Sequence, residues 1–391
     1  MTAATARTGA QPGMRSMALL AGRGIDLVRG RGSTLVDSEG RHYVDLVSNY
    51  GVNLLGHAHP AVNAAIAEQS ALLANAHQSF GSPVRDDFLA VLETLVPSEL
   101  SRVCFVNSGS EAVEVAIKLA RAATGRARIV AMYGGYHGRT YGALSLTAQP
   151  AYRDPFAPLL PGIRHVAYDN VAALDAVLDE SVAAVVLEPI QGESGVRVPA
   201  DGYLREVRQR CSAMGTLLVA DEVQTGFRTG DVLACGHDGV VPDVLCLGKG
   251  IANGLPMGVT VCTEAVADGM PRGGHGSTFA GSPLVCAAGA ATLRTLADTA
   301  LHARVGALGR EAVERLGAVP AARVRAVRGR GLMIGIELRV PVTPLVMELQ
   351  ARGVLVLAAG RTVIRLLPPL VIDDRVWRDA LDVVAEVVGG A

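Results

Sequence analysis

The chain of 391 residues lacks a charge excess of either sign, its formal net charge being −1. Binding a phosphate backbone calls for a basic patch or stripe, so nucleic acid is not expected as the main partner. Although half of the residues are apolar, no apolar stretch reaches the ~18 residues that a membrane helix needs. The longest strand-like runs, such as 182–187, are far shorter, and no membrane association is expected. The first two dozen residues hold no signal-peptide core, so secretion is not expected and the cytoplasm is the natural compartment. Cys104, Cys211, Cys235, Cys246, Cys262 and Cys286 form no CxxC pair. They read as buried or half-buried thiols in a reducing compartment. His57-Ala-His59 has no Cys or carboxylate at ligand spacing, and no metal site is expected.

At about 150 residues per domain, the length suggests two or three domains and ample sequence for a large core. Residues 1–24, rich in Ala, Gly, Arg and Thr, read as a loose tail. Residues 25–47 alternate around Asp37-Ser38-Glu39-Gly40 and predict a hairpin turning at Gly40. Helical spacing begins after Pro60, with Val62, Ile66 and Gln69, and recurs over 88–95. Short continuous apolar runs follow at 103–106, 129–132, 182–187, 217–220, 244–247 and 259–262. Continuous rather than alternating runs suit strands buried on both faces, and the helical stretches between them predict an α/β domain with a mostly parallel sheet. The C-terminal part reads as a smaller α+β unit: a helix at 284–296, β-like stretches at 332–338 and 354–357, and a helix at 376–388. The expected division is a tail (1–24), an N-terminal part of a small domain (25–58), a large domain (59–283) and the rest of the small domain (284–391).

In an open α/β sheet, ligands sit beyond the carboxyl ends of the strands, so the residues after each run are the candidates. After 103–106 come Asn107, Ser108, Gly109, Ser110 and Glu111, leading into a helix. A small, hydroxyl-bearing helix start presents free N–H groups to a phosphate; the plain alternative is an ordinary Ser cap. After 129–132 come Gly134, Gly135, Tyr136, His137, Gly138, Arg139 and Thr140, which offer close backbone approach, an aromatic plate and a carboxylate-binding fork. In isolation this is a glycine-rich turn with a solvated Arg. After 182–187 comes Glu188, and 217–220 ends in Asp221, Glu222, Val223 and Gln224. A buried strand-end acid is costly unless paired, and one use is to hold a heteroaromatic nitrogen protonated; a structural acid is the alternative. Lys249, at a buried strand end between Gly248 and Gly250, is the sharpest feature. Desolvation frees its amine for an aldehyde, and the flanking glycines clear space, against the alternative of a lysine snorkelling to solvent. A phosphate seat, an aromatic plate, an acid for a ring nitrogen and a lysine for an aldehyde together match the needs of pyridoxal 5′-phosphate. The Gly-x-Gly-x-x-Gly turn of a nicotinamide site is missing.

Taken in order, Val106-Asn-Ser-Gly-Ser-Glu-Ala112, Gly135-Tyr-His-Gly-Arg-Thr140, Glu188-Pro-Ile-Gln-Gly-Glu193, Asp221-Glu-Val-Gln-Thr-Gly226, Leu247-Gly-Lys-Gly250, Gly274-His-Gly-Ser-Thr278 and Val327-Arg-Gly-Arg-Gly-Leu332 resemble the motifs of class-III pyridoxal-phosphate aminotransferases. The resemblance spans roughly 25–385. It is nearest to acetylornithine aminotransferases and to relatives acting on carrier-protein-linked lysine or ornithine precursors. It implies the aspartate-aminotransferase-like fold type I: a large domain with a mostly parallel sheet plus a small α+β domain. It also implies roles. Lys249 would bond covalently to the cofactor aldehyde and then carry a proton. Asp221 would pair with the pyridine nitrogen, with His137 and Glu188 in the cofactor set. Gln224 would lie near the ring hydroxyl, and Val223 would face Tyr136 across the ring. Ser108, Gly109 and Ser110 would bind phosphate, completed by Thr278 from the neighbouring subunit, so a homodimer with shared sites is expected.

The resemblance further implies that Arg139 and Arg365 each grip a carboxylate. Glu193 would cover Arg365 while the ω-amine binds and swing away for the dicarboxylate. Glutamate and 2-oxoglutarate would form one substrate pair, and an N-acylated or carrier-linked ornithine- or lysine-type ω-amine and its semialdehyde the other, in arginine or lysine biosynthesis. Tyr50 and Tyr43 are placed at the substrate mouth or in packing. Several positions depart from the family pattern: Tyr136 where Phe is commoner, Ser194 and Ser282 where Gly and Asn are usual, Asn253 within a glycine run, and a loop Thr225-Gly-Phe-Arg-Thr-Gly230 one residue short. The basic stretch Arg323, Arg325, Arg328 and Arg330 reads as a solvated strand edge, with docking of an acidic carrier protein as the alternative. Other readings are an aminomutase or decarboxylase on the same cofactor, and a catalytically silent binding protein that kept the fold.

Overall fold

A computed structural model describes residues 17, 19, 21–320 and 322–390. Seven strands form the central sheet, ordered Arg102–Val106, Gly258–Cys262, Val244–Leu247, Leu217–Asp221, Val182–Leu187, Arg128–Met132 and Ile163–Val166. Only Gly258–Cys262 runs antiparallel to its neighbours. All six residues of Val182–Leu187 are buried, as expected of a strand covered on both faces. The six runs expected as strands of this sheet are present, each within a residue of its expected start or end; the β-like stretch expected at 354–357 is instead divided into Val354–Leu355 and Leu357–Ala359, which join different sheets. Ile163–Val166 was not anticipated, because this edge strand is only partly buried and has no continuous apolar run.

Helix Gly109–Thr124 packs Ala112, Val113, Val115, Ala116, Leu119 and Ala120 against this sheet. Its Ser108 cap accepts from the Glu111 N–H, and left-handed Gly125 ends it, which satisfies part of each terminus. Each fully buried Val or Leu contributes about 1.5–3 kcal/mol. The helix therefore holds its first turn firmly at the carboxyl end of the sheet.

Two smaller sheets flank the central one. Leu27–Arg31, Thr34–Asp37 and His42–Asp45 form a meander that turns at residues 38–41, as expected, and also at Gly32. His42–Asp45 then pairs in parallel with Val354–Leu355, so the two ends of the chain share a sheet. The second sheet is antiparallel, in the order Val324–Arg330, Met333–Leu338, Val363–Leu366, Leu357–Ala359. Helix Thr299–Gly317 was not foreseen, although Val305, Leu308, Ala312 and Leu316 recur on its buried face. Its internal Gly306 and Gly309 lower helix propensity and obscure that spacing. The expected loose tail lies largely outside the described residues. Its end is fixed, however: Arg23 donates to Gln350 Oε1 and Val356 O and accepts at its carbonyl from Gln350. The six cysteines are free. Among the described residues no single helix is long and apolar enough to cross a membrane, and no cluster of metal-binding side chains occurs.

Candidate active site

The loops following five of the strands converge at the carboxyl edge of the sheet around a cavity of about 440 Å³. Gly109, Ser110, Tyr136, His137, Arg139, Glu188, Glu193, Asp221, Val223, Gln224 and Lys249 are in its lining. Eleven of the site residues expected from the sequence thus line one cavity, whereas Arg365 is fully buried outside its lining. Ser108 is not in that lining, since its hydroxyl serves the helix cap beside Glu111. Thr278 is exposed on a loop outside the cavity of its own chain. Tyr50 is likewise outside, with its ring 5.9 Å from the Arg365 guanidinium.

Asp221 ends its strand almost completely buried. Its Oδ2 accepts from His137 Nδ1 at 2.7 Å and its Oδ1 from the Val223 N–H at 3.1 Å. Burial pulls His137 down, but the bond to Asp221 and the charges of Asp221 and Glu188 outweigh it, and the imidazole titrates above its ordinary value. The His137–Asp221 pairing was not read from the sequence, because the two residues lie 84 positions apart. Glu188 Oε1 accepts from the Tyr136 N–H and Oε2 from the Gly192 N–H. Burial raises this carboxyl to about 7. The neighbouring Glu222 is the structural acid of the pair: it accepts from the N–H groups of Ala234 and Cys235 and from the Thr225 hydroxyl.

Lys249 has φ +44°, an uncommon and strained backbone for a side-chain-bearing residue, of the kind found at functional sites. Burial lowers its amine, with Glu193 and Asp221 pulling partly the other way. The chain holds two lysines, and the other, Lys118, bonds the Gly274 carbonyl elsewhere. This scarcity is a signal that the motif reading passed over. The flanking glycines have a different reason from the one expected. A Cβ on Gly250 would lie 2.3 Å from Leu54, and one on Gly248 3.2 Å from the Gly109 backbone. They admit neighbouring elements rather than clearing space around the amine. Asn253, also left-handed, accepts from the Leu55 N–H at 2.8 Å and donates to Gly56 O at 3.0 Å, which pins the lysine loop.

Arg365 sits in the middle of a fully buried strand. Its Nη1 donates to Glu193 Oε1 at 2.7 Å and to Gln224 Oε1 at 3.0 Å, while Nε and Nη2 have no partner. Burial pushes Glu193 up, but the Arg365 charge and hydrogen bond reverse this and hold the carboxyl below its ordinary value. Gln224 is therefore tied to the arginine. Arg139 is exposed; its guanidinium stacks 3.7 Å over Tyr152, and its Nε donates to the Tyr136 hydroxyl at 3.2 Å. The hydroxyl that distinguishes Tyr136 from phenylalanine thus positions Arg139, and Tyr152 was missed because an isolated aromatic carries no pattern.

Three further expectations are corrected or resolved. Arg328 is not on a solvated edge: Nε donates to the carbonyls of Gly195 and Val196, and Nη1 pairs with Glu337. Tyr43 is buried, donating to Asp37 Oδ2. His57 pairs with Asp45 at 2.7 Å.

The residues present fit pyridoxal 5′-phosphate. The amine of Lys249 is buried and its proton affinity lowered, the acid at Asp221 is oriented by His137, and a helix start offers N–H groups to phosphate. At Gly109 a Cβ would lie 2.5 Å from Val223 Cγ1, so no side chain fits at that helix start.

The family model for class-III aminotransferases matches residues 21–388. The chain is 45% identical over 292 residues to an acetylornithine aminotransferase of Methanopyrus kandleri, covering 74% of this chain and 75% of that one. It is 44% identical over 330 residues to a [LysW]-aminoadipate semialdehyde transaminase of Deinococcus radiodurans, covering 83% and 77%. Among solved structures, the ornithine aminotransferase of Toxoplasma gondii superposes with a TM-score of 0.91 at 34% identity, covering 95% of this chain and 92% of that one.

Proposed function

We propose, for a chain that belongs to the class-III aminotransferase family, that the second substrate of this pyridoxal-phosphate-dependent transaminase is an N-acylated or carrier-linked ω-amine. Glutamate and 2-oxoglutarate form the first pair. The single observation that carries this reading is the Glu193–Arg365 pair, 2.7 Å apart: Glu193 lines the cavity together with Lys249, and the fully buried Arg365 is held by it. A carboxylate that neutralises a buried arginine suits a site that must accept both a cationic ω-amine and an anionic dicarboxylate.

On this reading Lys249, Asp221, Gly109 and Ser110 hold the cofactor, and Tyr136 and Val223 supply its apolar walls. When bound, pyridoxal 5′-phosphate supplies an electron sink for the pair released as a substrate C–H bond breaks. Lys249 Nζ, whose protonation burial disfavours, takes that proton and returns it. His137 Nδ1–H holds Asp221 in one orientation and stabilises its anion. Glu193 shields Arg365 while the ω-amine is bound and rotates away when a dicarboxylate arrives. Arg139 grips the distal carboxylate from its seat on Tyr152.

Beside the cavity lies a cleft of about 590 Å³ that shares Tyr136 and Glu193 with it and is lined also by Arg197, Arg328 and Arg361. Glu337 also lines this cleft and pairs with Arg328, which leaves Arg197 and Arg361 to support an acyl cap or an acidic carrier protein at the far end of the ω-amine. The exposed Phe80, Phe279, Leu72 and Tyr141 support a homodimer in which Thr278 serves the partner's site. A half-reaction panel tests the reading: ornithine, N-acetylornithine, lysine and a carrier-linked lysine are each mixed with the pyridoxal form. The capped amines should react at least about tenfold faster than the free ones. Equal or faster reaction of free ornithine would contradict the proposal.

A further inference from the structure

Arg228 is the deepest cation that the mechanism leaves unused. It stands four residues after Gln224, on the loop continuing from Asp221, and its side chain is fully buried. Its Nη1 donates to Leu332 O at 3.0 Å and Pro368 O at 2.8 Å, while Nε and Nη2 have no partner. Leu332 precedes strand Met333–Leu338 and Pro368 follows strand Val363–Leu366. These two strands pair with Gly335 opposite Arg365. Arg228 thus fastens the ends of both strands that present Arg365.

The charges of the two arginines also meet. Burial and repulsion from Arg365 push Arg228 down to about 9, with Asp45 offsetting only part. Gly51 packs against the Arg228 guanidinium: a Cβ there would be 3.5 Å from Nη2. The adjacent Tyr50 sets its ring toward Arg365. A buried guanidinium with no carboxylate partner is costly. A neutral donor could satisfy two carbonyls without that cost, so the charge itself calls for a use.

We propose that Arg228 is a positioning residue for the dicarboxylate half-reaction. Clamped to the strand ends, it places a second fixed positive charge behind Arg365 and strengthens the hold of that seat on an incoming carboxylate. This rests on the reading of Glu193 and Arg365 as the switch between substrates. The unpaired Nε and Nη2 of Arg365 are the edge that the carboxylate meets.

The test compares R228M, which removes the charge and keeps the bulk, with R228K, which keeps the charge. For each variant, 2-oxoglutarate binding to the holoenzyme is measured by calorimetry, both half-reactions by rapid mixing, and folding by thermal melting. R228M should raise the Kd and KM for 2-oxoglutarate about tenfold and leave kcat/KM for the ω-amine within about twofold, while R228K should restore binding to within about threefold. Equal losses in both half-reactions, or an unchanged Kd for 2-oxoglutarate, would overturn the inference. Should R228M not fold, R228K alone decides: tenfold weaker 2-oxoglutarate binding in a folded R228K also overturns it. E193Q and R365K separate the layers. If those variants fail to split the half-reactions, the switch itself is wrong; if they split them and R228M does not, only the role of Arg228 falls.

Discussion

Replacing Glu193 by glutamine keeps the shape of the gate and removes its charge. In the parent enzyme the carboxylate lies 2.7 Å from Arg365 Nη1, on an arginine with no solvent exposure. Two unit charges about 4 Å apart interact by ~4 kcal/mol at an effective dielectric near 20. The Glu193 side chain is 29% exposed, so about half of that is a reasonable net value, ~2 kcal/mol, or about 30-fold. That loss falls on the half-reaction in which Glu193 stays in place, because the ω-amine then meets an unshielded guanidinium. The 2-oxoglutarate half-reaction should keep its rate or gain, since displacing a neutral amide costs less than displacing the ion-paired carboxylate. Stopped-flow absorbance of the two half-reactions, each under single-turnover conditions, reads both numbers from one preparation. A common factor on both sides would refute the gating argument, as would a larger loss on the dicarboxylate side.

Three other outcomes follow from the same geometry. Y136F removes the hydroxyl that accepts from Arg139 Nε; KM for the dicarboxylate should rise about two- to fivefold with kcat unchanged, and a fall in kcat alone in steady-state kinetics would contradict it. N253A loses two hydrogen bonds and replaces, at φ +40°, a residue that tolerates the left-handed region with one that does not; a loss of about 2–3 kcal/mol is expected, seen in calorimetry as a melting temperature several degrees lower, with N253G intermediate. The carboxyl of Glu193 titrates below its ordinary 4.5 in the fold because of Arg365, so the contribution of the pair is present above that pH and lost as pH falls through the depressed value. The difference in melting temperature between the parent and E193Q should therefore be flat near neutrality and shrink only below about pH 4.5; a difference that vanishes by pH 6 would contradict the pairing.

The layered architecture was legible because continuous apolar runs such as 182–187 can hardly be anything but buried strands. The direction of Gly258–Cys262 was not legible, since parallel and antiparallel central strands carry the same burial pattern. Most of the cavity wall could be named in advance because its residues follow strand ends, where short loops leave few places for a side chain to point. What could not be named were the contacts between loops. His137 and Asp221, Arg139 and Tyr152, and Asn253 with Leu55 and Gly56 are each joined only by folding. Arg328 misled for the same reason: a run of arginines has the look of a solvated edge until the carbonyls of Gly195 and Val196 are brought against it.

The account stands on a covalent bond between the cofactor aldehyde and one amine. Borohydride reduction of the purified holoenzyme followed by peptide mapping tests it, and a chain with two lysines makes the answer binary. A pyridoxyl group on the Lys249 peptide, absent from K249A, is the predicted result. A label on Lys118, or a reducible adduct that survives K249A, would contradict it.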